Sequence, residues 1–363
     1  MDVMVDWLKQ EDSQFLKILR AISIFVIVFG HVGGFWIYRP WSEFLHVFVS
    51  IFFFISGAVS YNGYIKRKSI AQYVYKRIVG LLVPYYCICI FAFFIFLLQH
   101  SSFPDLYIYN LIKWITITPS HAIMPFPLGQ VWFLRVLGII ALLSPIIFYI
   151  YNINKIIFAL ILCISLFVSS IPVVFNVIPD FPIVGYTPIV YMLFFYLGPC
   201  VFDNENFRSS CFSLAIIIAS IFVSVMLIKL IGVDIDYANH IIYVVDIYFV
   251  TGSIGAIYFC LLCQEKILSL YKTMPGYLRN IVDFFYKHTF SIFLLHTFSI
   301  YFVEKLFELI SYGKEKTISY GIFKLIFVLL LTVVMSPAFT KITSIISNKL
   351  NIYYARNYFK GYQ

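Results

Sequence analysis

Charged side chains are scarce in this sequence. They make up 12% of its 363 residues, against about 25% in an ordinary soluble domain. So little charge cannot coat a water-exposed surface, which excludes a soluble globular enzyme, a disordered chain and a disulfide-rich secreted module. Long polar tracts are missing too: no stretch between apolar runs exceeds about 30 residues, which leaves no room for an appended soluble domain. There is no internal repeat and no low-complexity tract. No small-residue cleavage site follows the first apolar run, so that run is not expected to be a removed signal. Cysteine is sparse: Cys87, Cys89, Cys163, Cys200, Cys211, Cys260 and Cys263 all fall in apolar runs or at their edges. They read as small hydrophobes rather than disulfide partners. Cys260 and Cys263 form a lone CxxC with no ligating histidine nearby, so no metal site is expected.

What is abundant is apolar surface: 62% of residues are hydrophobic and 20% aromatic, including 40 Phe and 28 Tyr. A helix needs about 20 apolar residues to cross a bilayer. Cutting the sequence at charges and turn residues gives ten spans, roughly 21–38, 44–65, 78–99, 131–151, 156–178, 188–202, 212–231, 241–262, 288–303 and 318–340. The expected fold is all-α, a polytopic transmembrane bundle forming one integral-membrane domain over 1–363 with the bilayer as its main partner. With the N-terminus inside, 18 Lys and Arg fall on the cytoplasmic side and 6 outside. That bias predicts both termini cytoplasmic and accounts for the net charge of +9 without a nucleic-acid partner. After Pro275 and Gly276, apolar residues Tyr277, Leu278, Ile281, Val282 and Phe285 recur at helical spacing, which predicts a short interfacial helix.

Ionisable groups inside a bilayer are costly and point to function. Arg20 and His31 lie in the first span, eleven residues apart. At 100° per residue they are about 20° from eclipsing and about 16 Å apart along the axis, so they share a stripe. A snorkelling Arg and a His bonded to a neighbouring helix would give the same pattern. The second span holds Phe52-Phe53-Phe54-Ile55-Ser56-Gly57, where Ser and Gly would also serve close helix packing. Lys66, Arg67 and Lys68, then Lys76 and Arg77 before Pro84 and Tyr85, cluster cations suited to anionic lipid or a phosphorylated ligand. Trp132-Phe133-Leu134-Arg135 precedes Ser144-Pro145, and Thr289 to His296 places a late histidine in an apolar run. Trp132 alone would pass for an interfacial belt residue.

In this order the motifs resemble the integral-membrane acyltransferase family 3, over about residues 15–300. The resemblance implies an O-acyltransferase of about ten helices in the bacterial inner membrane. Such a protein moves an acetyl group from cytoplasmic acetyl-CoA, a co-substrate needing no metal, to a sugar hydroxyl of a surface polysaccharide such as lipopolysaccharide, or its lipid-linked precursor. It implies His31, Arg20 and Ser56 as catalytic residues. Lys76, Arg77 and Arg20 become donor contacts, and Trp132, Arg135 and His296 acceptor contacts. The sequence departs from the family pattern at Gly80, where an Arg is common, at Phe293 for Tyr and at Thr289 for Ser.

The chemistry suits these residues. A hydroxyl attacking a thioester needs a base, a role for neutral His near pH 7, and an acyl-His intermediate is the other route. The several phosphate charges of CoA call for Arg or Lys at the cytoplasmic rim. Glu43 and Asp246 are candidate carboxylates to orient His31. The rival reading is a transporter or flippase of a lipid-linked glycan or small metabolite, for which the outside residues Asp234, Asp236 and His240 would be suited. It expects two related halves, which the sequence lacks. A glycan polymerase would want a cationic outside loop, and 100–130 holds only Lys113.

Overall fold

The computed structural model describes residues 7–32, 41–67, 69–99, 115–117, 131–177, 186–233, 245–310 and 318–358. Asp234, Asp236, His240 and most of the 100–130 stretch lie outside these residues, as does the side chain of Glu43. The described elements are helices: α1 Gln10–Val32, α2 Val47–Ile65, α3 Ile70–Gln99, α4 Val131–Ile153, α5 Lys155–Phe175 and α6 Tyr186–Asp203. They continue with α7 Ser210–Met226, α8 Ile247–Leu262, α9 Gln264–Thr273, α10 Gly276–Lys287, α11 Thr289–Leu309 and α12 Ile318–Tyr358. Short 3-10 turns cover Trp41–His46 and Glu205–Arg208.

Among the described residues, nine helices are long and apolar enough to cross a membrane. A tenth span results if α8 and α9, bent by 55°, count as one. The chain is a multi-pass membrane protein. The bend falls at Cys263, inside the CxxC, and all seven cysteines are free thiols. Several helix ends differ from the charge-cut boundaries. α1 starts at Gln10 rather than near 21, because Lys17 and Arg20 continue the helix and Glu11 and Asp12 sit well in its first turn. α12 runs 41 residues and carries on past 340 through polar residues. Other ends were written locally: Asn154 caps α5 through Ile156 N and Ile157 N, Ser209 caps α7, and Gly232 at φ 74° closes the π-helical extension of α7.

The helices fall into two compact units, 1–70 with 139–287 and 71–138 with 288–363. In the first, α2 and α6 cross at glycines. A Cβ on Gly57 would overlap the Phe195 carbonyl oxygen, and one on Gly198 would stand 2.7 Å from Ala58 N. Rings pack around that close approach: Phe53 stacks on Tyr191 at 4.4 Å, and Phe148 of α4 meets Tyr196 edge-on at 5.6 Å. Ile156, Leu160 and Ile164 on α5, and Leu214, Ile218 and Ile221 on α7, remain exposed, as lipid-facing residues would be. In the second unit α11 packs on α12 with polar stitches. Thr332 donates to Ser299 at 2.8 Å, Ser291 meets Thr340 at 2.7 Å, and buried Lys324 pairs with Glu304 at 2.6 Å.

Candidate functional site

α1 is helical without a break from Gln10 to Val32, so the stripe that joins Arg20 to His31 exists as drawn from their spacing. Arg20 is half-buried, with its guanidinium carbon 5.6 Å from the centroid of the Phe52 ring. The first Phe of the Phe-Phe-x-x-Ser-Gly motif is therefore a platform for the Arg of α1, a contact worth about 0.5–2 kcal/mol. Two motifs separated in the sequence meet here, within one unit. His31 lies in the last turn of α1, accessible, and close enough to His46 at the start of α2 for the two to interact electrostatically. His46 carries no sequence motif and would not be picked out without the fold.

Gly57 belongs to the helix crossing, not to an open site, whereas Ser56 beside it is half-buried. Asp246 is buried and spends one oxygen on the N-terminus of α8, accepting from Tyr248 N at 3.0 Å and Phe249 N at 3.1 Å. That makes it a helix cap before it can be an orienting carboxylate.

The second unit holds the remaining residues singled out by sequence. Lys76 and Arg77 are half-buried on α3, with the Arg77 guanidinium carbon 5.4 Å from the Tyr73 ring. Trp132 lies edge-on to Phe133 at 6.1 Å; Phe133 lies 5.2 Å from Phe293, and Phe293 6.0 Å from the His296 ring. This chain of rings links the Trp-Phe-Leu motif to the late histidine. His296 is fully buried, its Nδ1 3.3 Å from the Ile292 carbonyl oxygen, while Arg135 is exposed. His288, which no motif marks, is also buried and bonds Thr340 at 2.8 Å.

A polar cluster surrounds the N-terminal end of α1. Buried Asp12 accepts from Arg208 at 2.6 Å and from Gln264 at 2.9 Å. Asp203 accepts from Tyr151 at 2.7 Å and from Lys155 at 3.1 Å, and Lys9 pairs with Glu205. Lys17 pairs with Asp283 of α10 at 2.8 Å, and Tyr271 donates to the same carboxylate at 2.7 Å. These partners lie far apart in sequence, so no local pattern announces them. Beside this cluster, between α1 and α2, lies a half-open cavity of about 550 Å³ lined by Lys9, Lys17, Lys66, Asn62 and Ser13 among others.

Asp283 gives a pH test of this cluster. Burial disfavours its charged form, but the hydrogen bonds from Lys17 and Tyr271 outweigh it and hold the carboxyl below its ordinary value. A lowered pKa contributes stability above the unfolded value, about 4, and that contribution is lost as pH falls through the folded value. Asp283 is 44% exposed, so the clasp is worth only about 0–1 kcal/mol. Asp283→Asn is expected to lower the melting temperature slightly at pH 7, with the difference from the parent closing below about pH 4. Paired melts at the two pH values check it, and an equal difference at both would assign the effect to packing.

The family model for an acyltransferase domain, the membrane acyltransferase family 3, matches residues 13–337. No curated protein and no solved structure matches the chain.

Proposed function

The chain belongs to this acyltransferase family, and from that premise we propose that it moves an acetyl group from cytoplasmic acetyl-CoA to a sugar hydroxyl of a surface polysaccharide or its lipid-linked precursor. It does so as a multi-pass protein of a bacterial inner membrane, with both termini cytoplasmic. The observation that carries the reading is the Arg20–His31 stripe on one unbroken helix, with Arg20 braced on Phe52. A donor gripped at the N-terminal end of α1 can then direct its thioester along the stripe to His31.

In the proposed step the acceptor oxygen attacks the thioester carbonyl carbon and the C–S bond breaks. His31 takes the hydroxyl proton and returns it to the departing thiolate, leaving an acetyl ester and free CoA. Arg20, Lys76 and Arg77 are the proposed donor contacts. Trp132 offers a face for a sugar ring, with Arg135 and His296 as further acceptor contacts, and Ser56 lies on α2 about one turn past Phe52. Membership of an acyltransferase family leaves the transporter reading without an observation of its own.

The test is direct. Purified protein in proteoliposomes, given labelled acetyl-CoA and glycans bearing free hydroxyls, is expected to release CoA in step with label entering the glycan. Label transfer from other acyl-CoAs at the expense of acetyl would correct the donor. The absence of any thioester turnover would remove the reading.

A further inference from the structure

We infer that the cavity between α1 and α2, lined by Lys9, Lys17 and Lys66, is the seat of the donor's phosphate groups. The inference rests on the acyl-CoA reading above and assigns that ligand's anionic end to Lys9 and Lys17, which no motif marks, together with Lys66 of the basic loop after α2. The cavity has about 550 Å³, within the range of small-molecule sites. Its lining joins the three lysines to Leu8, Gln10, Ser13, Gln14, Asn62 and Tyr286, with no carboxylate among them. Three cations and several hydrogen-bonding groups around one hollow suit an organophosphate, with Lys as a point charge for phosphate.

Two of the lysines are paired with acids that do not line the cavity. Asp283 holds Lys17 at 2.8 Å, and Glu205 holds Lys9. Each ammonium has three N–H donors, so one carboxylate can fix a lysine in place and leave donors for a ligand. Asn62 Oδ1 is buried and takes no hydrogen bond from any described residue. An amide and three ammoniums in one hollow match a ligand that carries both phosphates and amides, as the pantetheine ester of a nucleotide does.

Position adds a second line of support. Ser13 precedes Arg20 by seven residues, so the two are about 20° from eclipsing, and Lys17 is one turn from Arg20 on the same face. The cavity therefore opens at the foot of the stripe that ends at His31. Lys17 and His31 are about 21 Å apart along the axis, comparable to an extended pantetheine arm with its acyl head. Phosphates held at Lys9, Lys17 and Lys66 would send the thioester past Arg20 to His31. A phospholipid headgroup shares the phosphate chemistry, so the test must separate the two sources.

Equilibrium binding of CoA, 3′-dephospho-CoA and pantetheine to the full-length detergent-purified protein decides the matter. Lys17→Gln with Lys66→Gln is expected to weaken CoA about 10–100-fold, the scale of one or two lost charged hydrogen bonds. Pantetheine affinity should not change, and the CoA difference should shrink in high salt. Asn62→Asp, which changes almost no volume, is expected to weaken CoA as well by placing a carboxylate in the hollow. If the parent binds CoA and the variants bind it equally well, the pocket is not its seat, while the acyltransferase reading stands. If the variants lose only retained phosphatidylglycerol in nanodiscs, the hollow is a lipid site and the inference falls. If the parent neither binds CoA nor turns over its thioester, the donor reading fails and this inference with it.

Discussion

His31→Ala is expected to cut transfer about 10²–10⁴-fold, roughly 3–5 kcal/mol of barrier, while leaving a folded and inserted protein. The position explains both halves of that expectation. His31 is in the last turn of α1 and accessible, so trimming it opens no core cavity. It shares the stripe of Arg20, whose guanidinium is braced on Phe52, so a donor held there, as proposed, would present its reactive end to the His31 ring. His46, at the start of α2, is within electrostatic reach of it. Specific activity of His31→Ala and His31→Gln, measured with a thermal melt, separates the roles. A packing histidine would lower yield and melting temperature and spare turnover per folded molecule. A covalent role would show as CoA release equal to one enzyme equivalent without acceptor, lost in both variants. Near-parental turnover in either variant would take His31 out of the mechanism and most of the proposed site with it.

The helical membrane architecture was legible because apolar runs of span length need no partner to be recognised. The amphipathic stretch after Pro275 was legible for the same local reason and forms α10, with Phe285 turned in and Tyr277, Leu278 and Ile281 exposed. The pairings were only half legible. That Arg20 and His31 share a stripe follows from helix geometry; that Phe52 is the ring beneath Arg20, or that rings connect Trp132 to His296, depends on how helices pack. The cluster at the foot of α1 was not legible at all. Asp12 finds Arg208 and Gln264, and Lys17 finds Asp283, across 196 residues and more. In the sequence Lys9 and Lys17 read as ordinary charged flanks of an apolar run, which bear on topology alone, whereas Lys66 stands in the basic loop whose cations suit a phosphorylated ligand.

Gly57→Ala is expected to destabilise the folded protein severely, although it adds a single methyl group. A Cβ at this position would overlap the carbonyl oxygen of Phe195 and sit 3.0 Å from its Cα, so the obstacle is backbone rather than a side chain that can swing away. Gly198 faces the same crossing from α6, with Phe54 O and Ala58 N in its path. Ordinary overpacking costs about 1–3 kcal/mol. Here relief requires α2 and α6 to separate, which would break the stack of Phe53 on Tyr191 and leave Phe54, Phe194 and Phe195 loosely packed. The expected loss is about 4 kcal/mol or more, a large part of the roughly 5–15 kcal/mol that holds a typical fold. The neighbouring Ser56→Ala is the informative control. Ser56 is half-buried and Ala fits wherever Ser does, so this variant should stay monodisperse and melt with the parent. Size-exclusion profiles and melts of the two variants then divide the Ser-Gly motif. A monodisperse Gly57→Ala with parental melting would mean that the α2–α6 crossing is looser than drawn. A folded Ser56→Ala that has lost transfer would place the serine in the chemistry and leave the glycine as the element that lets the two helices meet.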